Sequence, residues 1–360
     1  MTGALHVRGV VLPDGEERDL WVVDGRVTFE AVPGAETVAA GGFVVPGLVD
    51  AHCHIGLGFE GPTHDHDELH AQARTDAAAG ALLVRDAGSP ADTRFLDAEP
   101  DAPRILHCGK HIARPKRYSP RTAVEIEPDE LVATVAREAA AGGGGWVKLV
   151  GDWIDRGVGD LTPLWPADTL RAAVATAHAA GVRVAVHVFS EEALPDLIDA
   201  GVDSVEHGTG LTDDLVARLA QSGAALVPTL INIDNFPQIA DSARAKYPVY
   251  AQRMDRLHGT AQARMLAAYD AGVPIYCGTD AGGYVRHGRV VDEIVALHAA
   301  GLPAEAALAA GSWAARRWLG HAGLEEGAPA DFLVVDGDPR ADLAVLHSPV
   351  RIVLRGRILA

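Results

Sequence analysis

Gly47-Leu48-Val49-Asp50-Ala51-His52-Cys53-His54 is the stretch on which the reading of this 360-residue chain turns. An apolar run closes on two histidines one residue apart. Alternate residues of a strand share a face, so His52 and His54 point together and Cys53 points away from them. Two imidazoles on one face make half of a metal site. With 16 histidines in the chain, chance alone gives about 0.7 such H-x-H pairs, so the pair counts only in company.

Seven further apolar, β-branched runs follow: ALLVRDAG from Ala81, RILHCGK from Arg104, WVKLVGD from Trp146, VRVAVHVF from Val182, DSVEHG from Asp203, ALVPTL from Ala225 and PIYCGTD from Pro274. Between them lie Ala-rich amphipathic segments such as PDELVATVAREAAAG, PADTLRAAVATAHAAG and TDDLVARLAQSG, the last two closing on a Gly suited to a helix C-cap. Eight strands alternating with helices predict an α/β fold, a (β/α)8 TIM barrel over residues 46–324. A doubly wound open sheet would carry a glycine fingerprint after its first strand, where this chain has histidines. Gly142 to Gly145 read as a helix-to-strand turn.

Outside the barrel the texture changes. Residues 1–45 are short apolar runs broken by turn signals, and DFLVVDGDP, SPVRIVLRG and RILA repeat that texture within residues 325–360. The two ends are expected to meet in a small β-sandwich domain. Against 49 Asp+Glu stand 31 Lys+Arg, and the net charge of −18 argues against a nucleic-acid or membrane partner. With no apolar run of about 18 residues and no signal-peptide pattern, the expected location is cytoplasmic. Cys53, Cys108 and Cys277 are read as reduced thiols, being too few and too odd in number for a disulfide framework.

In a barrel of this kind the chemistry sits where strands end. Five strands end in polar groups: His52 and His54, Lys148, His187, His207 and Asp280. Lys148 stands among Trp146, Val147, Leu149 and Val150, where burial lowers the pKa of an amine. A neutral amine beside metal ions can add carbon dioxide and become a carbamate, an anionic ligand able to bridge two cations.

GLVDAHCH, VRDAG, the lysine of WVKLV, VAVHVF, AGVDSVEHG, VPTL, GTDAGG with a downstream HG, and GLEEGAPADFLVVDGDP together resemble the amidohydrolase superfamily. The likeness runs nearly end to end and is closest to the branch of imidazolonepropionase-like proteins and Xaa-Pro dipeptidases. It implies that His52, His54 and Asp280 bind one divalent metal ion and that His187 and His207 bind a second. Carboxylated Lys148 would bridge the two, with zinc the expected metal. By the same likeness Asp280 is the catalytic proton carrier, and His207 either ligates or orients the substrate carbonyl. The expected enzyme is a metal-dependent hydrolase cleaving an amide C–N bond by metal-activated water. Three other readings stand beside it: a mononuclear deaminase or cyclic-amide hydrolase, a lactone or phosphoester hydrolase on the same site, and a scaffold without activity. The deaminases of the superfamily carry a glutamate three residues after the strand-5 histidine, whereas here Glu191 comes four after His187.

The partner expected is a small-molecule substrate. The loop Lys110-His111-Ile112-Ala113-Arg114-Pro115-Lys116-Arg117-Tyr118-Ser119-Pro120-Arg121 has five Lys/Arg and no acid, which predicts a substrate carrying a free carboxylate, such as a dipeptide or N-acyl amino acid. Its expected contacts are His111, Arg114, Arg117 and His287. Relatives place a tyrosine after P-T-L, where this chain reads Ile231-Asn232-Ile233-Asp234-Asn235, so their specificity does not transfer. His64, His66 and His70 are read as a solvated loop or helix start, and Asp86 and Glu206 as groups orienting the ligand imidazoles. Barrels often form homo-oligomers, but no motif here specifies one.

Overall fold

In the computed structural model, residues 3–141 and 144–360 are described. Gly142 and Gly143 of the expected turn, like Met1 and Thr2, lie outside them. The architecture is α/β. Leu48–Cys53, Ala81–Asp86 and Arg104–His107 pair in parallel as one sheet. His111–Ala113, Trp146–Val150, Arg183–Val188, Ser204–His207 and Ala225–Val227 run in order through a second, with Ala123–Glu125 at its edge.

The third expected strand is split. Its first half, Arg104–His107, pairs with Ala81–Asp86, and after the turn at Cys108–Lys110 the segment His111–Ala113 meets the fourth strand through Ile112 and Leu149. The eighth expected strand is present as single bridges. Ile275 pairs with Leu226 and Ala281 with Cys53, while the N–H of Ala51 donates to Cys277 and that of Asp280 to His52. Pro274 lacks an N–H, Gly278 lies against His52, and Asp280 has a φ of 56°, so the segment follows both neighbours without forming a regular ladder.

Leu48–Cys53, Ala81–Asp86 and Trp146–Val150 are buried along their whole length, and Arg183–Val188 beyond its first residue, as near-continuous Val/Leu runs require when both faces are covered. Helices return between them where the periodicity predicts. Ala167–Ala179 and Asp213–Ser222 bury the stripes Leu170/Ala173/Val174/Ala177 and Leu215/Val216/Leu219. Thr212 accepts from the Leu215 N–H at the start of the second, and Gly223 closes it in the left-handed region.

The two chain ends meet in one seven-stranded sheet. Glu36–Pro46 pairs in parallel with Leu5–Val11 and antiparallel with Phe332–Val335, which passes on to Arg351–Leu354. It has its own apolar cluster around Val7, Leu20, Val44, Phe332 and Val353. Glu36–Pro46 runs through Gly47 straight into the strand that carries His52, so FVVP belongs to the end sheet and LVDAHC to the parallel one. No helix among the described residues is long and apolar enough to cross a membrane.

Candidate metal centre

Parallel register brings the polar strand ends together. His52 and His54 leave the first strand on one face, and their Nε2 atoms lie 3.2 Å apart. Asp280, arriving from the eighth, sets Oδ1 2.9 Å from His54 Nε2 and 3.3 Å from His52 Nε2. Val188 pairs with His207, and His187 Nδ1 meets His207 Nε2 at 2.9 Å. Lys148 Nζ lies 3.4 Å from His52 Nε2. His52, His54, Lys148, His187 and His207 are all buried, and the Asp280 side chain is 15% exposed.

The outward nitrogens are already engaged. His52 Nδ1 lies 2.6 Å from Glu206 Oε2, whose other oxygen takes Arg85 at 2.7 Å and the Ser204 hydroxyl. His54 Nδ1 donates to the Gly88 carbonyl at 2.9 Å, and His207 Nδ1 lies 2.7 Å from Thr229 Oγ1. With Nδ1 the proton-bearing atom in His52 and His54, both Nε2 atoms present lone pairs to each other and to a carboxylate oxygen. Three acceptors facing one point are reconciled by a cation. His52, His54 and Asp280 form a group able to hold a metal ion, so the donor set fits one.

Electrostatics favours the same state. Burial pushes the pKa values of His54, His111 and His187 down and that of His207 to about 3, keeping the rings neutral. Burial also lowers the Lys148 amine, as expected from its flanking residues. Against burial, the Arg85 guanidinium and the hydrogen bond from His52 hold Glu206 well below the usual carboxylate range. The backbone contributes strain: His207, Thr229 and Asp280, at three successive strand ends, have φ of 69°, 49° and 56°. Each such residue costs roughly 1–3 kcal/mol and turns its side chain off the strand line.

Around this centre the expectations divide. His111 is fully buried beside His54, ring centroids 4.8 Å apart, and neither ring nitrogen has a hydrogen-bond partner among the described residues. Arg117 is not a free cation. It ties its loop to the hairpin 152–163 through Asp155 at 3.1 Å, the Trp153 and Thr162 carbonyls at 2.9 Å and Thr162 Oγ1 at 2.7 Å. Arg114 makes an exposed ion pair with Glu127 at 3.1 Å. His287 turns to helix His66–Ala78, its Nδ1 2.8 Å from Asp76. These three expected carboxylate contacts therefore have internal acidic partners, which satisfy their charge more directly than a solvated loop would.

Glu206 orients His52, whereas Asp86 accepts from Thr93 and the Gly88 N–H instead, and burial lifts its pKa to about 7. Glu191 pairs with Arg256 and Arg253, away from a proton-shuttle role. His66 stacks on Phe95 at a helix start, and His70 bonds Asp101 at 2.7 Å. Sequence reasoning missed three groups. Asn232 Nδ2 donates to Asp280 Oδ2 at 2.6 Å, Thr229 meets His207, and Tyr118 packs at a tilt between His111 and Trp153. Of these, Thr229 is the threonine of the strand-7 V-P-T-L itself, and Asn232 lies just after it, in the segment that lacks the expected tyrosine.

An uncharacterized protein of Mycobacterium tuberculosis strain H37Rv is 56% identical over 353 residues, covering 98% of this chain and 95% of its own. Imidazolonepropionase of Salinispora arenicola is 26% identical over 342 residues, covering 85% and 81%. Among solved structures, a Xaa-Pro dipeptidase with bound methionine in its active site superposes with a TM-score of 0.82 at 22% identity, over 99% of both chains, and so has the same fold. The sequence model described as "Amidohydrolase family" matches residues 43–359, and the chain belongs to that family.

Proposed function

We propose that this chain is a binuclear metal-dependent hydrolase cleaving the C–N bond of a small amide, on a (β/α)8 barrel of residues 46–324 with a β-sandwich domain from residues 1–45 and 325–360. The observation that carries the reading is the convergence of His52 Nε2, His54 Nε2 and Asp280 Oδ1 within 3.3 Å, with His187 and His207 meeting beside them. In this reading His52, His54 and Asp280 would hold one cation and His187 and His207 the other, with Lys148, carboxylated, adding an anionic ligand; zinc suits this nitrogen-rich set. Bound there, such ions supply a Lewis acid for the carbonyl oxygen and lower the pKa of water towards neutrality.

The remaining steps belong to the protein's own groups. His111, neutral and unpartnered, donates one ring N–H to the substrate oxygen. Asp280 Oδ2, steadied by the Asn232 amide, takes a proton and passes it to the leaving nitrogen. A free carboxylate on the substrate has less support than the amide, because Arg117 and His287 are committed to Asp155 and Asp76. The position of Glu191 among arginines disfavours the deaminase reading.

Elemental analysis of protein expressed with zinc and bicarbonate tests the reading. Near two metal ions per chain, falling in Lys148→Ala, is the expected result; one or none, unchanged in the variant, overturns the bridged centre.

A further inference from the structure

The loop that follows His111–Ala113 carries, beside its arginines, an aromatic ring that no charge argument selects. Tyr118 lies with its ring centroid 4.8 Å from His111, 4.7 Å from Trp153 and 5.7 Å from His187. Trp153, from the hairpin after the fourth strand, is 5.2 Å from His187. Phe189 completes the row, 4.3 Å from His187 and 4.9 Å from His207. Three aromatic rings from three different loops thus stand directly against the imidazoles of the strand-end cluster. Tyr118 and Trp153 are half-buried and keep part of their surface open, whereas Phe189 is buried behind them.

Their placement is enforced. Arg117, next to Tyr118, binds the carbonyl of Trp153 and both oxygens of Thr162, so one guanidinium locks the tyrosine loop to the tryptophan hairpin. The tyrosine hydroxyl has no hydrogen-bond partner among the described residues. A wall of π faces held this firmly is suited to flat apolar groups, which gain contact area and offset or edge-on stacking there. The three rings of the wall bring no cation to a carboxylate. The arginine expected to greet a carboxylate instead braces the wall from behind.

We propose that the wall of Tyr118 and Trp153, backed by Phe189 and braced by Arg117, selects an amide whose group beside the scissile bond is uncharged and aromatic. The inference rests on the hydrolase reading for its reaction but not for its recognition, which binding measures alone.

The experiment is calorimetric titration of the metal-loaded protein with N-acetyl-phenylalaninamide and, separately, with N-acetyl-glutamate, each followed by chromatographic analysis for cleavage. The aromatic amide is expected to bind at least tenfold more tightly. Tyr118→Ala and Trp153→Ala are expected to remove that preference, Trp153→Phe to retain most of it, and Arg114→Ala to leave it intact. Equal or tighter binding of the acidic compound overturns the proposal, as does a preference that survives in folded Tyr118→Ala and Trp153→Ala proteins or the absence of any binding. Tight binding of the aromatic amide without cleavage upholds the wall and counts against the hydrolase. Cleavage of the acidic compound with no aromatic preference does the reverse.

Discussion

His52 and His54 present their Nε2 atoms to one another across 3.2 Å while Glu206 and the Gly88 carbonyl occupy the opposite nitrogens. Facing lone pairs repel until something positive stands between them. Bound metal is therefore expected to stabilise the fold, by about 2.7 kcal/mol at a free concentration one hundred times Kd, seen as a Tm rise of a few degrees on adding zinc. In His54→Ala the rise should vanish; a thermal scan with and without zinc that shows the same increment in both proteins contradicts the assignment.

Glu206 is the central acceptor of a buried triad, 2.7 Å from Arg85 and 2.6 Å from His52. Removing its charge leaves the Arg85 guanidinium, at 0% exposure, without a counter-ion. Glu206→Gln should cost roughly 3–5 kcal/mol, the range for breaking one side of a buried ion pair. Urea unfolding measures it, and a loss below 1 kcal/mol would show that the amide substitutes for the carboxylate.

Glu293 is buried and accepts from the Leu230 and Ile231 N–H groups, and burial pushes its pKa from 4.5 to about 8. A carboxyl raised on folding holds its proton more tightly in the native state. Its contribution is complete below the unfolded value and is lost as pH climbs through 4.5 towards about 8. Within that window the slope approaches about 1.4 kcal/mol per pH unit for the group. Glu293→Gln should lose less stability between pH 5 and 8 than the parent, though Asp50 and Asp86, raised to about 6 and 7, keep some slope. Parallel profiles for the two proteins in denaturant titrations would rule this out.

Gly278 gives the eighth strand its close approach to the first. A Cβ there would stand 2.4 Å from Val227 Cγ1 and 2.7 Å from His52 Cβ. Gly278→Ala is expected to cost about 1–3 kcal/mol of stability and to lower metal content by displacing His52 from Asp280. Unchanged metal stoichiometry with unchanged Tm would mean that the strands yield freely.

The site residues could be read in advance because each is a polar group set within or at the end of an apolar run, a pattern that periodicity exposes. So could the chain-end sheet, from the texture shared by TVAAGGFVV and DFLVV. The split of the third strand at Cys108–Lys110 left no such mark, since RILHCGK and HIA look like one interrupted run. Loop charges misled for a physical reason: the sequence shows Arg117 but not Asp155, whose carboxylate meets it across 38 positions. Tyr118, Thr229 and Asn232 escaped for the same cause. Their significance lies in what they touch, and those neighbours are remote along the chain.

Phe332–Val335 zips onto Phe43–Pro46, the segment leading straight into the His52 strand. Ribosomal synthesis therefore exposes one edge of Glu36–Pro46 long before its antiparallel partner Phe332–Val335 exists. Such distant pairing slows folding and leaves a naked apolar edge in the meantime. The strand that carries His52 and His54 is thus hung from a seam sewn shut only after residue 335 has emerged, which makes assembly of the site a late event in the life of the nascent chain.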